Sequence, residues 1–169
     1  MIFRVKNDIY AALTKAAIPG TYHWILYFVL TLKEGWKMHT TNDRGDVRTW
    51  RYERQMWAGP NSVMAVTFTK IGHVDDDFTV EMLEEYVRGI PMSIPEVDIG
   101  KERRFTCRVR FKEAIRRLNS AQLFVNCPDV DALERELTQR ASALELGQFG
   151  NMMLPYYYIT RLAQPWSYV

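Results

Sequence analysis

The hydrophobic pattern changes period partway along the chain. Before Ile71 the apolar residues come in short runs separated by turn residues, and after Thr79 they recur at three- and four-residue intervals. The strongest run, Thr21 to Val29, leaves a Pro19-Gly20 turn and reads as a strand. Alternation puts Tyr22, Trp24, Leu26 and Phe28 on one face and His23, Ile25, Tyr27 and Val29 on the other. Trp36 to Thr41 reads as the next strand, closed by a turn at Asn42-Asp43-Arg44-Gly45. Val47 to Arg54 reads as a third, and Val63 to Ile71 as a fourth after the Gly59-Pro60-Asn61 break. Asp8 to Thr14 fits either a strand or a helical turn, because Ala-rich runs suit both.

The second half reads as helices. Thr79 is an N-cap for a helix with Met82, Leu83, Tyr86 and Val87 on one face, stopped by Gly89 and Pro91. Ile90 to Gly100 reads as a loop. Thr106 to Asn119 forms a second helix, with Cys107, Phe111, Ala114, Ile115 and Leu118 on its apolar face and Arg108, Lys112, Arg116 and Arg117 on the rest. Pro128 to Leu146 forms a third, with Asp131 and Glu134 at capping-box spacing and a stop at Gly147 to Gly150. Pro155 to Leu162 adds an edge strand through Tyr156-Tyr157-Tyr158-Ile159. Strands first and helices second predict an α+β fold, an antiparallel sheet with helices packed on one side. The expected layout is a single domain over 1–169: strand-rich 8–72, helical 78–147, and a tail over 148–169.

Composition narrows the function classes. A chain of 169 residues that is 47% hydrophobic can bury one sizeable core. A net charge of +2 gives no reason to expect nucleic acid. Met1 to Ala17 has no continuous apolar core, so no signal peptide is expected. The apolar run Trp24 to Leu32 is about half the length of a membrane-spanning helix. A cytoplasmic protein without a transmembrane segment is the expectation. Eight basic residues lie between Lys101 and Arg117, and they read as a solvated helix face or as a site for an anion.

Two features suggest chemistry. Cys107 opens the second helix, where unpaired N–H groups and Lys101, Arg103, Arg104 and Arg108 favour a thiolate. The same position on an apolar face also suits a core-filling thiol. His23 becomes its base only if the His23 face meets the Cys107 helix. His39 can orient His23 in one hairpin register alone. A three-residue turn pairs His39 with Val29, about 20 Å along the ladder from His23. A wider loop, Leu30 to Glu34, pairs it with Ile25 and puts both histidines on one face. If the first register holds, Asp43 or Asp46 takes that place. His73 reads as a surface loop residue, and Asp75-Asp76-Asp77 as a charged turn capping the next helix. No ligand pair has compact metal spacing, so neither metal nor cofactor is expected. Trp24, Trp50 and Tyr52, with Arg108, are candidate substrate-binding residues. Cys127, beside Pro128, has neither the helix position nor the histidine of Cys107.

The order of these motifs resembles the circularly permuted papain-like fold of the lecithin:retinol acyltransferase family, grouped with NlpC-type cysteine peptidases. Its first motif is similar to His23-Trp24-Ile25-Leu26-Tyr27 and its second to Met38-His39. Its nucleophile motif, Asn-Cys-Glu-His-Phe-Val, stands against Thr106-Cys107-Arg108-Val109-Arg110-Phe111, which lacks the Glu-His. The chain also resembles a group of small, largely uncharacterised fungal proteins. The shared residues are Tyr22-His23-Trp24, His39-Thr40-Thr41-Asn42, Trp50-Arg51-Tyr52-Glu53, Ile90-Pro91 and Cys107-Arg108. The resemblance implies a cysteine-dependent hydrolase or acyltransferase acting on a small-molecule, peptide or acyl-thioester substrate. Cys107 would be nucleophile, His23 general base and His39 the orienting group. The alternative is a non-catalytic binding or assembly domain on the same fold.

Overall fold

The Ala-rich segment that suits two conformations is a strand, because its place in the sheet buries both of its faces. The structure, a computed structural model, describes residues 5–147 and 155–166. Its sheet holds β1 (Asp8–Lys15), β2 (Tyr22–Val29), β3 (Gly35–Thr41), β4 (Arg51–Trp57), β5 (Ala65–His73) and β6 (Tyr156–Ile159), in the order β4-β3-β2-β1-β5-β6. Every pairing is antiparallel except β5 with β6. β1 lies between β2 and β5, and its residues Asp8 to Thr14 are all buried. A strand covered on both sides tolerates a continuous apolar run where a half-covered one would alternate.

Two strand boundaries differ from the expectation. Asp46 accepts a hydrogen bond from the Arg48 N–H and caps a 3-10 turn over Val47–Thr49, so β4 starts at Arg51 and continues to Trp57. The strand after Gly59-Pro60-Asn61 starts at Ala65, because Val63 and Met64 are exposed in the preceding turn.

The described residues form three α-helices: α1 (Val80–Val87), α2 (Cys107–Ser120) and α3 (Val130–Gly147). All pack on the sheet face of Ile9, Leu13, Trp24, Leu26, Phe28 and Met38, against Leu83, Phe111, Ile115, Leu118, Leu133 and Leu137. The opposite face carries a second cluster of Tyr10, Ala12, Ile25, Tyr27, Val29 and Phe68. There Phe68 stacks between Trp57 and Tyr157, with centroids 5.7 and 5.1 Å away. No helix among the described residues is long and apolar enough to cross a membrane.

The basic face of α2 is not solvated as expected. Lys112 has only 4% of its side chain exposed, and its Nζ lies 2.7 Å from Asp131, 2.9 Å from Glu134, 3.6 Å from Glu102 and 3.8 Å from Asp98. Burial opposes its charge, but Asp131 and Glu134 outweigh that penalty and raise its pKa. Arg116 grips the fully buried Asp98 with two bonds of 2.8 Å. Arg110 donates to the backbone carbonyls of Val87 and Arg88 at 2.7 and 3.2 Å. Asp131 and Glu134 therefore serve Lys112 and not a capping box. The cap of α3 is Asp129, whose Oδ1 accepts the Ala132 N–H at 2.9 Å. Of the expected helix stop, Gln148, Phe149 and Gly150 lie outside the described residues.

Lys112→Ala removes a buried cation that several carboxylates share. Some of those carboxylates keep an arginine, so the cost falls at the low end for a broken buried pair, about 3 kcal/mol. A urea midpoint shift of that size, with an unchanged slope, is the expected result.

Candidate functional site

The β2–β3 hairpin takes the wider of the two registers. Leu30 and Thr31 donate their N–H groups to the Glu34 carbonyl, and Thr31 Oγ1 accepts from Lys33 and Glu34. Gly35 then faces Val29 and His39 faces Ile25. A Cβ on Gly35 would stand 2.1 Å from the Phe28 carbonyl oxygen, so only glycine lets the strands close here. In this register His23 Nε2 lies 2.5 Å from His39 Nδ1, with the rings nearly perpendicular. Behind them, Glu53 Oε2 is 3.5 Å from His39 Nε2.

His39 is 7% exposed and its Nε2 has no hydrogen-bond partner among the described residues. Burial, followed by the charge of Lys37, lowers the His23 pKa to about 4, with Glu53 opposing. Burial, then His23, Lys37 and Arg51, lower that of His39 to about 3. Both rings are therefore neutral near pH 7. A proton on His39 Nε2, toward Glu53, makes Nδ1 the acceptor of the His23 Nε2–H and leaves His23 Nδ1 as the open basic nitrogen.

Cys107 sits at the first turn of α2, where Thr106 Oγ1 accepts the Val109 N–H at 3.3 Å. Its thiol donates to the Tyr22 carbonyl at 3.9 Å. Burial raises its pKa above the usual cysteine range, against smaller lowering effects from the N–H groups of Trp24, Arg108 and Cys107 itself. Cys107 packs with the helix-facing cluster that includes Tyr22 and Trp24. His23 stands between those residues in a strand, so its ring projects to the other face. The structure thus brings His23, His39 and Glu53 together and does not bring Cys107 to them. Cys107 makes no hydrogen bond to a histidine, and the backbone of β2 lies between them. His39 borders a cavity of about 20 Å³ beside Cys107, but its two ring nitrogens face His23 and Glu53.

On its outer side Cys107 lines a groove of about 580 Å³. The β1–β2 turn (Gly20, Thr21), the segment Lys101–Arg104 and Glu134 and Thr138 of α3 form its walls. Of the expected substrate residues, Trp24 borders the groove but is 3% exposed and rests on Phe111. Arg108 borders it too, tied to Glu102 and Glu134. Trp50 instead packs edge-on against Phe105, and Tyr52 donates to Glu84 at 2.9 Å beneath the Arg110 guanidinium. Sequence reasoning missed the α3 wall. The signal was available as the polar Glu134 and Thr138, one turn apart on that helix.

Two other expectations resolve differently. His73 ends β5, with Nδ1 2.8 Å from the buried Asp8 carboxylate, and is not in a loop. Asp76 accepts from Asn7, while Thr79 caps α1. Both cysteines are free, and burial pushes Cys127 up to about 12. Among the described residues no group of three or more His, Cys, Asp or Glu side chains is arranged to hold a metal ion. No protein-family model matches the chain, and no curated protein or solved structure matches it significantly.

The histidine pair makes stability depend on pH. Both folded pKa values lie below the ordinary 6.5, so the unfolded chain binds protons first. Their contribution is complete above about pH 6.5 and is lost as pH falls toward about 4. Urea unfolding at pH 7.5 and pH 5 should differ by about 1–2 kcal/mol per histidine. His39→Gln should flatten that dependence.

Proposed function

We propose that the protein is a ligand-binding domain whose site is the groove at the start of α2, with Cys107 a wall residue and not a nucleophile. One observation carries this reading. The thiol lies on the helix-facing side of β2 while both imidazoles lie on the other. A thiol whose pKa is raised by burial and that has no base in reach stays protonated at neutral pH. The groove's volume falls in the range of small-molecule sites.

A second reading is a cysteine-dependent hydrolase or acyltransferase on a permuted papain-like fold, working through an acyl-Cys107 intermediate. The observation that favours it is His39 seated on His23 Nε2, where an orienting group belongs. It needs the start of β2 to rearrange so that His23 Nδ1 and Cys107 Sγ share one side.

Alkylation separates the two. For a binding domain, iodoacetamide labels Cys107 with an apparent pKa above the usual 8.5, and His23→Ala leaves that value unchanged. Cys127 labels only on unfolding. An apparent pKa well below 8.5 that rises in His23→Ala, with an acyl adduct on Cys107 by intact mass after exposure to acyl-thioesters, would establish the enzyme instead.

A further inference from the structure

We infer that the groove takes a phosphate monoester, its dianionic head held by Arg103 and Arg104. This rests on the groove being a ligand site. Four cations line it (Lys101, Arg103, Arg104 and Arg108) against two carboxylates, Glu102 and Glu134. Those carboxylates are already committed. Arg108 binds both of them, and Lys112 reaches Glu134 at 2.9 Å from inside the core. Lys101 has a single long contact, 3.6 Å to Asp131. Arg103 and Arg104 are exposed and have no hydrogen bond or ion pair among the described residues. Two unpartnered guanidiniums on one groove leave two positive charges to be met there.

The class of anion follows from that arrangement. A guanidinium presents a planar fork that fits phosphate and carboxylate oxygens, and two of them balance a dianion better than a monocarboxylate. A phosphate monoester is mostly dianionic near neutral pH. A nucleic acid would need a continuous basic stripe. The other cations of this segment do not extend one, since Arg110 and Lys112 are buried, Arg116 is bound to Asp98 and Arg117 to Glu113. Besides the arginines, Thr21, Tyr22 and Thr138 also line the groove. That leaves room for an organic group on the phosphate, which free phosphate lacks.

Amide NMR titrations near pH 7.5 test this with four probes: phenyl phosphate, inorganic phosphate, benzoate and benzyl alcohol. Phenyl phosphate should shift the amides of Thr21, Arg103 and Cys107 and bind about ten-fold or more tightly than each of the other three. Arg103→Ala with Arg104→Ala should weaken it by about ten-fold or more without lowering the urea midpoint, and lysine at both positions should restore part of the affinity. Benzoate or benzyl alcohol binding in the groove as tightly as phenyl phosphate would overturn the phosphate class and leave the groove as a binding site. Inorganic phosphate binding equally well would overturn the ester. Full binding in the double alanine variant would overturn the role of the arginines. If no probe perturbs the groove amides, both the ligand class and the groove reading fall.

Discussion

The alternation of β2 governs the architecture on both sides of the sheet. Its even-numbered residues, Tyr22 to Phe28, are the surface on which α2 lies, and its odd-numbered ones build the opposite cluster. Because the period is two, a residue cannot serve both faces. The Cys107 thiol touches the Tyr22 carbonyl, while the His23 ring, one residue further along β2, projects from the opposite face of the sheet. The division gives each face its own electrostatics. On one, helix-facing burial keeps a thiol protonated. On the other, burial keeps two imidazoles neutral, in line with a carboxylate.

The buried ammonium of Lys112 organises the helical layer in a comparable way. It draws Asp98 and Glu102 from the loop before α2, and Asp131 and Glu134 from α3, onto one point of α2. A charge buried this deeply is tolerated only when its partners are fixed, so the loop and α3 are held at a set distance from each other. The groove occupies that gap. The acids on its wall are turned inward by Lys112 and Arg108, which leaves the positive charge of Arg103 and Arg104 facing outward.

Periodicity carried much of the fold. The two faces of β2, the apolar stripe of α2 and the strand-then-helix order were legible because they depend on local repeats that the core preserves. The β2–β3 register was legible only as a choice between two, since Gly35 decides it through a close approach that sequence spacing does not display. Other features were hidden by tertiary contact. The cations of α2 look solvated in sequence, and only the carboxylates of distant segments make their burial affordable. Asp131 and Glu134 mimic a capping box because the same spacing serves one face of a helix toward Lys112. The histidine pair was readable from sequence, but its side relative to Cys107 was not. Helix phase says that Cys107 faces the sheet, and nothing local says which side of the sheet that is.

The margins of the sheet limit what this protein joins. Among the described residues β4 ends the sheet at one side with Arg51, Glu53, Arg54 and Gln55, side chains that are charged or amide-bearing and alternate between both faces. At the other, β6 is only four residues long and pairs in parallel. An incoming strand finds charges to desolvate at the first margin and too few open backbone groups at the second. Among the described residues both margins are therefore poor templates for edge-to-edge growth, in a chain rich in β-prone aromatic runs.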